Sequence, residues 1–157
     1  MGNFFSQKQP DCIFCTIIAE LEKEGHEEAK NSKILCHNDD LALFSDYKPA
    51  SKHHYLVVPR KHIGNPKTLN SEDHVQLIKD MVKFGMEYLE ANENVELTKD
   101  VRFGFHWPPV ISVDHLHLHV ICPSSNLSYF HSVLFRENSW YFVSPEYLIS
   151  RLLNQSN

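Results

Sequence analysis

The residues best suited to chemistry lie in Asp114-His115-Leu116-His117-Leu118-His119-Val120-Ile121, where three histidines alternate with Leu116, Leu118 and Val120. A period of two predicts an extended strand with the three imidazoles on one face and the apolar side chains on the other. An imidazole titrates near pH ~6.5, so at neutral pH it can act as nucleophile, base, acid after protonation, or metal ligand. Three of them on successive outward positions make a reactive row. Cys12 and Cys15 add a CxxC pair, which alone fits either a metal site or two plain thiols.

The rest of the chain must supply the elements that hold this row. Asp11 to Glu24 reads as a short helix ending before Gly25, and His26 to Asn31 as a loop. Lys33 to His37 and Leu41 to Ser45 read as a hairpin across Asn38-Asp39-Asp40. Tyr55 to Val58 is a third, central strand ended by Pro59. Asn70 or Ser71 caps a long helix running to about Asn92, whose stripe of Ile78, Met81, Val82, Gly85, Met86 and Leu89 is core. Val101 to Phe105 is a fourth strand, and the histidine row is the fifth, stopped by Pro123. Trp140-Tyr141-Phe142-Val143 packs on the core or meets a second subunit. Ser144-Pro145-Glu146 then opens a final helix carrying Leu148, Ile149, Leu152 and Leu153.

Strands, then a helix, then strands predict an α+β domain. The 157 residues suit a single domain that buries about two-thirds of its unfolded surface. A net charge of −5 argues against broad electrostatic binding to nucleic acid or anionic lipid. Cys12, Cys15, Cys36 and Cys122 follow no signal peptide, so thiols or metal ligands are expected rather than bridges. Met1-Gly2-Asn3-Phe4-Phe5-Ser6 fits the N-myristoylation pattern. A lone acyl chain with no basic cluster gives only marginal binding, so no stable membrane association is expected.

HLHLHVI resembles the HxHxHxx signature of the histidine triad (HIT) superfamily, whose middle histidine attacks the α-phosphate of a nucleotide. Phe44-Ser45-Asp46, the run from His53 to His62 (HHYLVVPRKH) and GFHxPP before SxxHLHLHV are similar to the third branch of its Hint proteins. The resemblance covers about Asp11 to Pro123. It implies a HIT-like fold: an antiparallel five-stranded sheet with one long and two short helices, continuous across a homodimer. Residues 1–10 would be a flexible terminus and 11–157 one HIT domain, with the last helix at about 145–153.

The same resemblance assigns roles. His117 is the nucleophile, His119 contacts the phosphate and helps protonate the leaving group, and Ser112 assists there. His54 matches the position that reaches the nucleophile, where it would hydrogen-bond or exchange protons with the triad and so fix tautomer and orientation, while His53 faces the other way. Asp46, with Tyr47 beside it, would hold the ribose hydroxyls, because a carboxylate accepts from both; the alternative is an Asp that caps a turn. His106 stands where typical Hint proteins have asparagine, either as a phosphate donor or packed under Trp107. Trp107-Pro108-Pro109-Val110 replaces their glycine-rich approach to phosphate. Some HIT proteins bind a structural zinc through residues matching Cys12, Cys15, His62 and His115, the alternative being buried thiols beside a scaffold histidine.

The implied activity is hydrolysis of adenosine 5'-phosphoramidates and acyl- or aminoacyl-adenylates to AMP through a nucleotidyl-histidine. A dinucleoside polyphosphate hydrolase and a non-catalytic nucleotide-binding or zinc-stabilised module are the competing readings. The implied setting is the cytoplasm or nucleus, with a purine nucleotide as partner and no organic cofactor.

Overall fold

A computed structural model describes residues 11–23, 33–94 and 99–155. The Gly2 motif, the terminus over residues 1–10 and the loop over 26–31 lie outside the described residues. Ten elements position the histidines. Helix α1 (Ile13–Lys23) buries Phe14, Cys15, Ile17 and Ile18, a helical spacing. Strands β1 (Ile34–His37) and β2 (Leu41–Ser45) form the expected antiparallel hairpin. Its turn is closed by Asn38, whose Oδ1 accepts from the Asp40 and Leu41 amides at 2.9 and 2.7 Å. Strand β3 (His53–Pro59) keeps Pro59 as its last residue.

Helix α2 (Glu72–Asn92) starts after Ser71 and buries Val75, Ile78, Met81, Gly85 and Leu89. Strand β4 (Arg102–His106) lies one residue later than the sequence predicts, and β5 (Leu118–Cys122) begins within the histidine row rather than at its start. After β5 come α3 (Tyr129–Leu134), β6 (Phe142–Val143) and α4 (Pro145–Gln155). The antiparallel sheet runs β1-β2-β3-β5-β4-β6.

The expected five strands are therefore six, and α3 joins the one long and two short helices. Phe142 and Val143 resolve the two readings of their segment toward the core: they pair with His106 and Phe105 and are buried, while Trp140 is exposed.

Alternation along each strand divides the core. Leu43, Tyr55, Val57, Phe105, Leu116, Leu118 and Val120 pack under α2 and α4. Ala42, Phe44, Leu56 and Val58 pack under α1, and Ile121 packs with Ala50, Phe135 and Phe142. The histidines lie on this second face, between those two clusters. Covering both faces leaves no outward side, so the row expected at the surface is buried.

Two glycines permit the close approaches. A Cβ at Gly85 would meet Val120 Cγ2 at 2.9 Å and Val57 Cγ2 at 3.2 Å, so α2 lies directly on the sheet. A Cβ at Gly104 would overlap the ring of Phe142. Gly104→Ala must displace that ring, and overpacking of this kind costs about 1–3 kcal/mol. Urea unfolding of the variant should show that loss; an unchanged midpoint would mean that Phe142 is not locked against β4.

Candidate active site

His117 is the most constrained of the row. Its Nδ1–H donates to the His115 carbonyl at 2.6 Å, which leaves the lone pair on Nε2. The ring of Phe14 meets it edge-on at 5.3 Å. His117 keeps 8% of its surface exposed where His115 keeps none.

Beside it runs a chain of three imidazoles. The Ala50 amide donates to His54 Nδ1 at 3.0 Å, so His54 carries its proton on Nε2 and donates to His119 Nδ1 at 2.9 Å. His119 then carries its proton on Nε2, facing His106 Nδ1 at 3.2 Å, and His106 Nε2–H donates to the Leu134 carbonyl at 3.0 Å. A backbone N–H can only donate and a backbone C=O can only accept, so the two ends fix the direction of the whole chain. Phe135 packs against all three rings at centroid distances of 5.0–5.2 Å.

Asp46 divides its oxygens. Oδ1 accepts from the Lys48 amide at 2.8 Å, and Oδ2 lies 3.4 Å from His54 Nε2 and 3.9 Å from His119 Nδ1. Burial raises its pKa, against the Lys48 amide and the neighbouring His117 and His106. Burial also dominates every shift among the imidazoles. It pushes His54 down to about 3 and His115 to about 4, and it lowers His106, His117 and His119 as well. The site is therefore a set of neutral rings at physiological pH.

Two groups of donor atoms converge closely enough for a metal, and their tautomers separate them. His115 Nε2–H donates to the Pro59 carbonyl at 2.8 Å, which turns the Nδ1 lone pair toward Cys12 Sγ at 3.4 Å and Cys15 Sγ at 3.6 Å. Cys15 Sγ also lies 3.3 Å from His62 Nδ1. Tetrahedral zinc with ordinary bond lengths separates N and S ligands by about 3.5 Å, and the carbonyl behind His115 is the second-shell partner that such ligands carry. In the group of Asp46, His54 and His119, the His54 Nε2 proton occupies the space between the donors. That group fits a hydrogen-bonded cluster instead.

Comparison with known proteins shows the family. Residues 11–133 match the family model described as scavenger mRNA decapping enzyme C-term binding. The chain is 45% identical to adenosine 5'-monophosphoramidase HINT3 of Xenopus tropicalis over 90% of its own length and 86% of that protein's. It is 43% identical to the Mus musculus protein of the same name, covering 90% and 81% of the two chains. The chain belongs to the histidine triad superfamily. Among solved structures, a HIT family hydrolase from Clostridium thermocellum superposes with a TM-score of 0.58 at 26% identity, covering 73% of this chain and 91% of that one.

Within this histidine triad fold the expected site residues separate into groups. His54, Asp46, His106, His117 and His119 come together, and Cys12, Cys15, His62 and His115 form the second cluster. Within the triad His54 bonds His119 and not His117, because β3 and β5 pair His54 with Ile121, two residues from His119 and four from His117. His106 does not lie under Trp107; the two point to opposite faces, and Trp107 packs on the α4 side with Arg151 5.1 Å from its ring centre. Ser112 is exposed and lines a cavity of about 330 Å³ with Cys12, His62 and Asp114, on the cysteine side of the triad. Tyr47 is 91% exposed. His53 faces α2, 3.2 Å from Glu93 and 3.0 Å from the Tyr55 hydroxyl.

Sequence reasoning missed the supporting groups Phe14, Phe135, Ala50, Pro59 and Leu134. Only Phe14 carried a signal, since it lies between the two cysteines. The others act through backbone atoms or through a segment without a period.

The neutral rings set a pH dependence. A histidine held at about 3 in the fold and titrating near 6.5 when unfolded binds fewer protons in the native state between those values. Stability then rises with pH across that window and falls on acidification, by up to about 1.4 kcal/mol per pH unit for each such ring. Urea unfolding at pH 7.5, 6 and 5 should show the decline beginning below about 6.5, and equal stabilities at all three would contradict the neutral cluster.

Proposed function

We propose that this protein hydrolyses adenosine 5'-phosphoramidates, and by the same chemistry acyl- and aminoacyl-adenylates, releasing AMP and an amine or acid. One observation carries the reading. The Nδ1 proton of His117 is held by the His115 carbonyl, so the Nε2 lone pair is committed to attack. In the first step Nε2 bonds the α-phosphorus while the phosphorus–nitrogen bond breaks, and the amine leaves after taking a proton from solvent, which the water of the second step returns. Water then attacks the nucleotidyl-histidine, AMP departs, and the imidazole is restored.

His119, one ring away at 5.1 Å, borders the phosphate through its ring, both of its nitrogens being bonded to His54 and His106. Asp46 takes the ribose hydroxyls through the oxygen that does not cap the turn, with Tyr47 next to it. Ser112 meets the leaving group from the cavity side, and assembly as a homodimer belongs to the same reading. The 45% identity to a named adenosine 5'-monophosphoramidase supports the substrate class.

A structural zinc is part of the proposal. Cys12 and Cys15 at the start of α1, His62 after β3 and His115 before β5 would hold it. When bound, it supplies a closed tetrahedral crosslink rather than a reactive centre. That crosslink ties α1 to the triad segment and keeps Phe14 on His117.

Brief incubation with an adenosine phosphoramidate followed by acid quenching and peptide mass analysis should show an AMP adduct on the peptide containing His117. His117→Ala should form no adduct and lose at least about a thousandfold in kcat/KM; equal slow rates for the two proteins would instead favour a nucleotide-binding module. Metal analysis of untagged protein should give one zinc per chain, and a value well below one would remove the crosslink.

A further inference from the structure

We propose that His106 is a positioning residue for His119: it accepts the His119 Nε2–H and, braced on the Leu134 carbonyl, holds the third triad ring from the side opposite His54. The inference rests on the phosphoramidase reading for its kinetic part and on geometry alone for the rest. Both nitrogens of His106 are engaged within the protein, at 3.2 and 3.0 Å, so no ring N–H remains for a phosphate. His119 is gripped at both nitrogens, by His54 at 2.9 Å and by His106. A flat ring bonded at one nitrogen still swings about that bond, whereas one bonded at both has a fixed plane.

The surroundings fix His106 in turn. Its ring packs on Phe135 and Phe142, each at 5.0 Å, and its backbone pairs with Phe142 on β6. Phe142 also lies 6.0 Å from the His119 ring, over the space that Gly104 leaves open. The C-terminal strand therefore orients a histidine of the triad through a residue that does not touch the substrate.

Side-chain geometry provides the test. The Oδ1 of Asn stands the same number of bonds from Cβ as Nδ1 of His, whereas the Gln terminus matches Nε2. His106→Asn keeps an acceptor for His119. His106→Gln keeps only the Leu134 contact, and His106→Phe keeps neither. With an adenosine phosphoramidate, kcat should fall on the order of tenfold to a hundredfold for the Gln and Phe variants. KM should move less than about twofold, and Asn should recover most of the rate.

Nitrogen-15 NMR supplies a readout independent of turnover. The His119 Nε2–H should be protected from solvent exchange in the wild type and His106→Asn, and exchange-broadened in His106→Gln and His106→Phe. Equal behaviour of the Asn and Gln variants in both assays, or a loss confined to KM, would overturn the proposal. If Phe does not fold, the Asn and Gln pair still decides. A protected His119 Nε2–H in a wild-type protein without turnover would sink the phosphoramidase reading while leaving the positioning role intact.

Discussion

The imidazoles of His54, His115, His117 and His119 lie under α1 and the segment ending at Phe135, where a protonated ring would lack the water that stabilises its charge. Neutrality has a structural consequence, because a neutral imidazole has one donor and one acceptor and each must meet the right partner. The backbone supplies the fixed points: the Ala50 amide, and the carbonyls of Pro59, His115 and Leu134. Every tautomer follows from those four groups. The Nε2 lone pair of His117 and the Nδ1 lone pair of His115 that faces the cysteines are both set by carbonyl oxygens on the far side of the ring.

His115 joins the two clusters. Its side chain faces Cys12 and Cys15 while its carbonyl holds His117, so one residue serves both. Phe14 adds a second link, with its ring 5.7 Å from His115 and 5.3 Å from His117. Anything that fixes the start of α1 therefore also shapes the surroundings of His117. This coupling comes from an aromatic residue placed between two cysteines, a local feature whose effect is felt some hundred positions along the chain.

Much of this was legible in the residues. The alternation from His115 to Val120 separated reactive and apolar faces correctly, and the caps and stripes located α2 and α4. What escaped depended on pairing across the sheet. Register alone sends His54 to His119 instead of His117, and no local pattern encodes register between strands sixty residues apart. The run at 129–134 has no apolar period, and α3 has no buried residue of its own. The two residues of β6 are too few for any periodicity and are ordered by pairing with β4. His106 was noticed as a departure from the family pattern, yet its partner depended on both the β4–β5 pairing and a carbonyl from α3. Of the two readings of Asp46, the turn cap is seen at Oδ1, which accepts from the Lys48 amide, while Oδ2 turns toward His54 and His119.

The strand at the sheet's end has one more implication. Among the described residues, by occupying the outer side of β4, residues 142–143 leave a further chain two places to add a strand: the bulged β1 or the far side of that short ribbon. Joining through β4 itself would first require peeling away Phe142, the ring that backs both His106 and His119. At that border, a strand added directly to β4 and an intact backing for the histidine cluster are mutually exclusive.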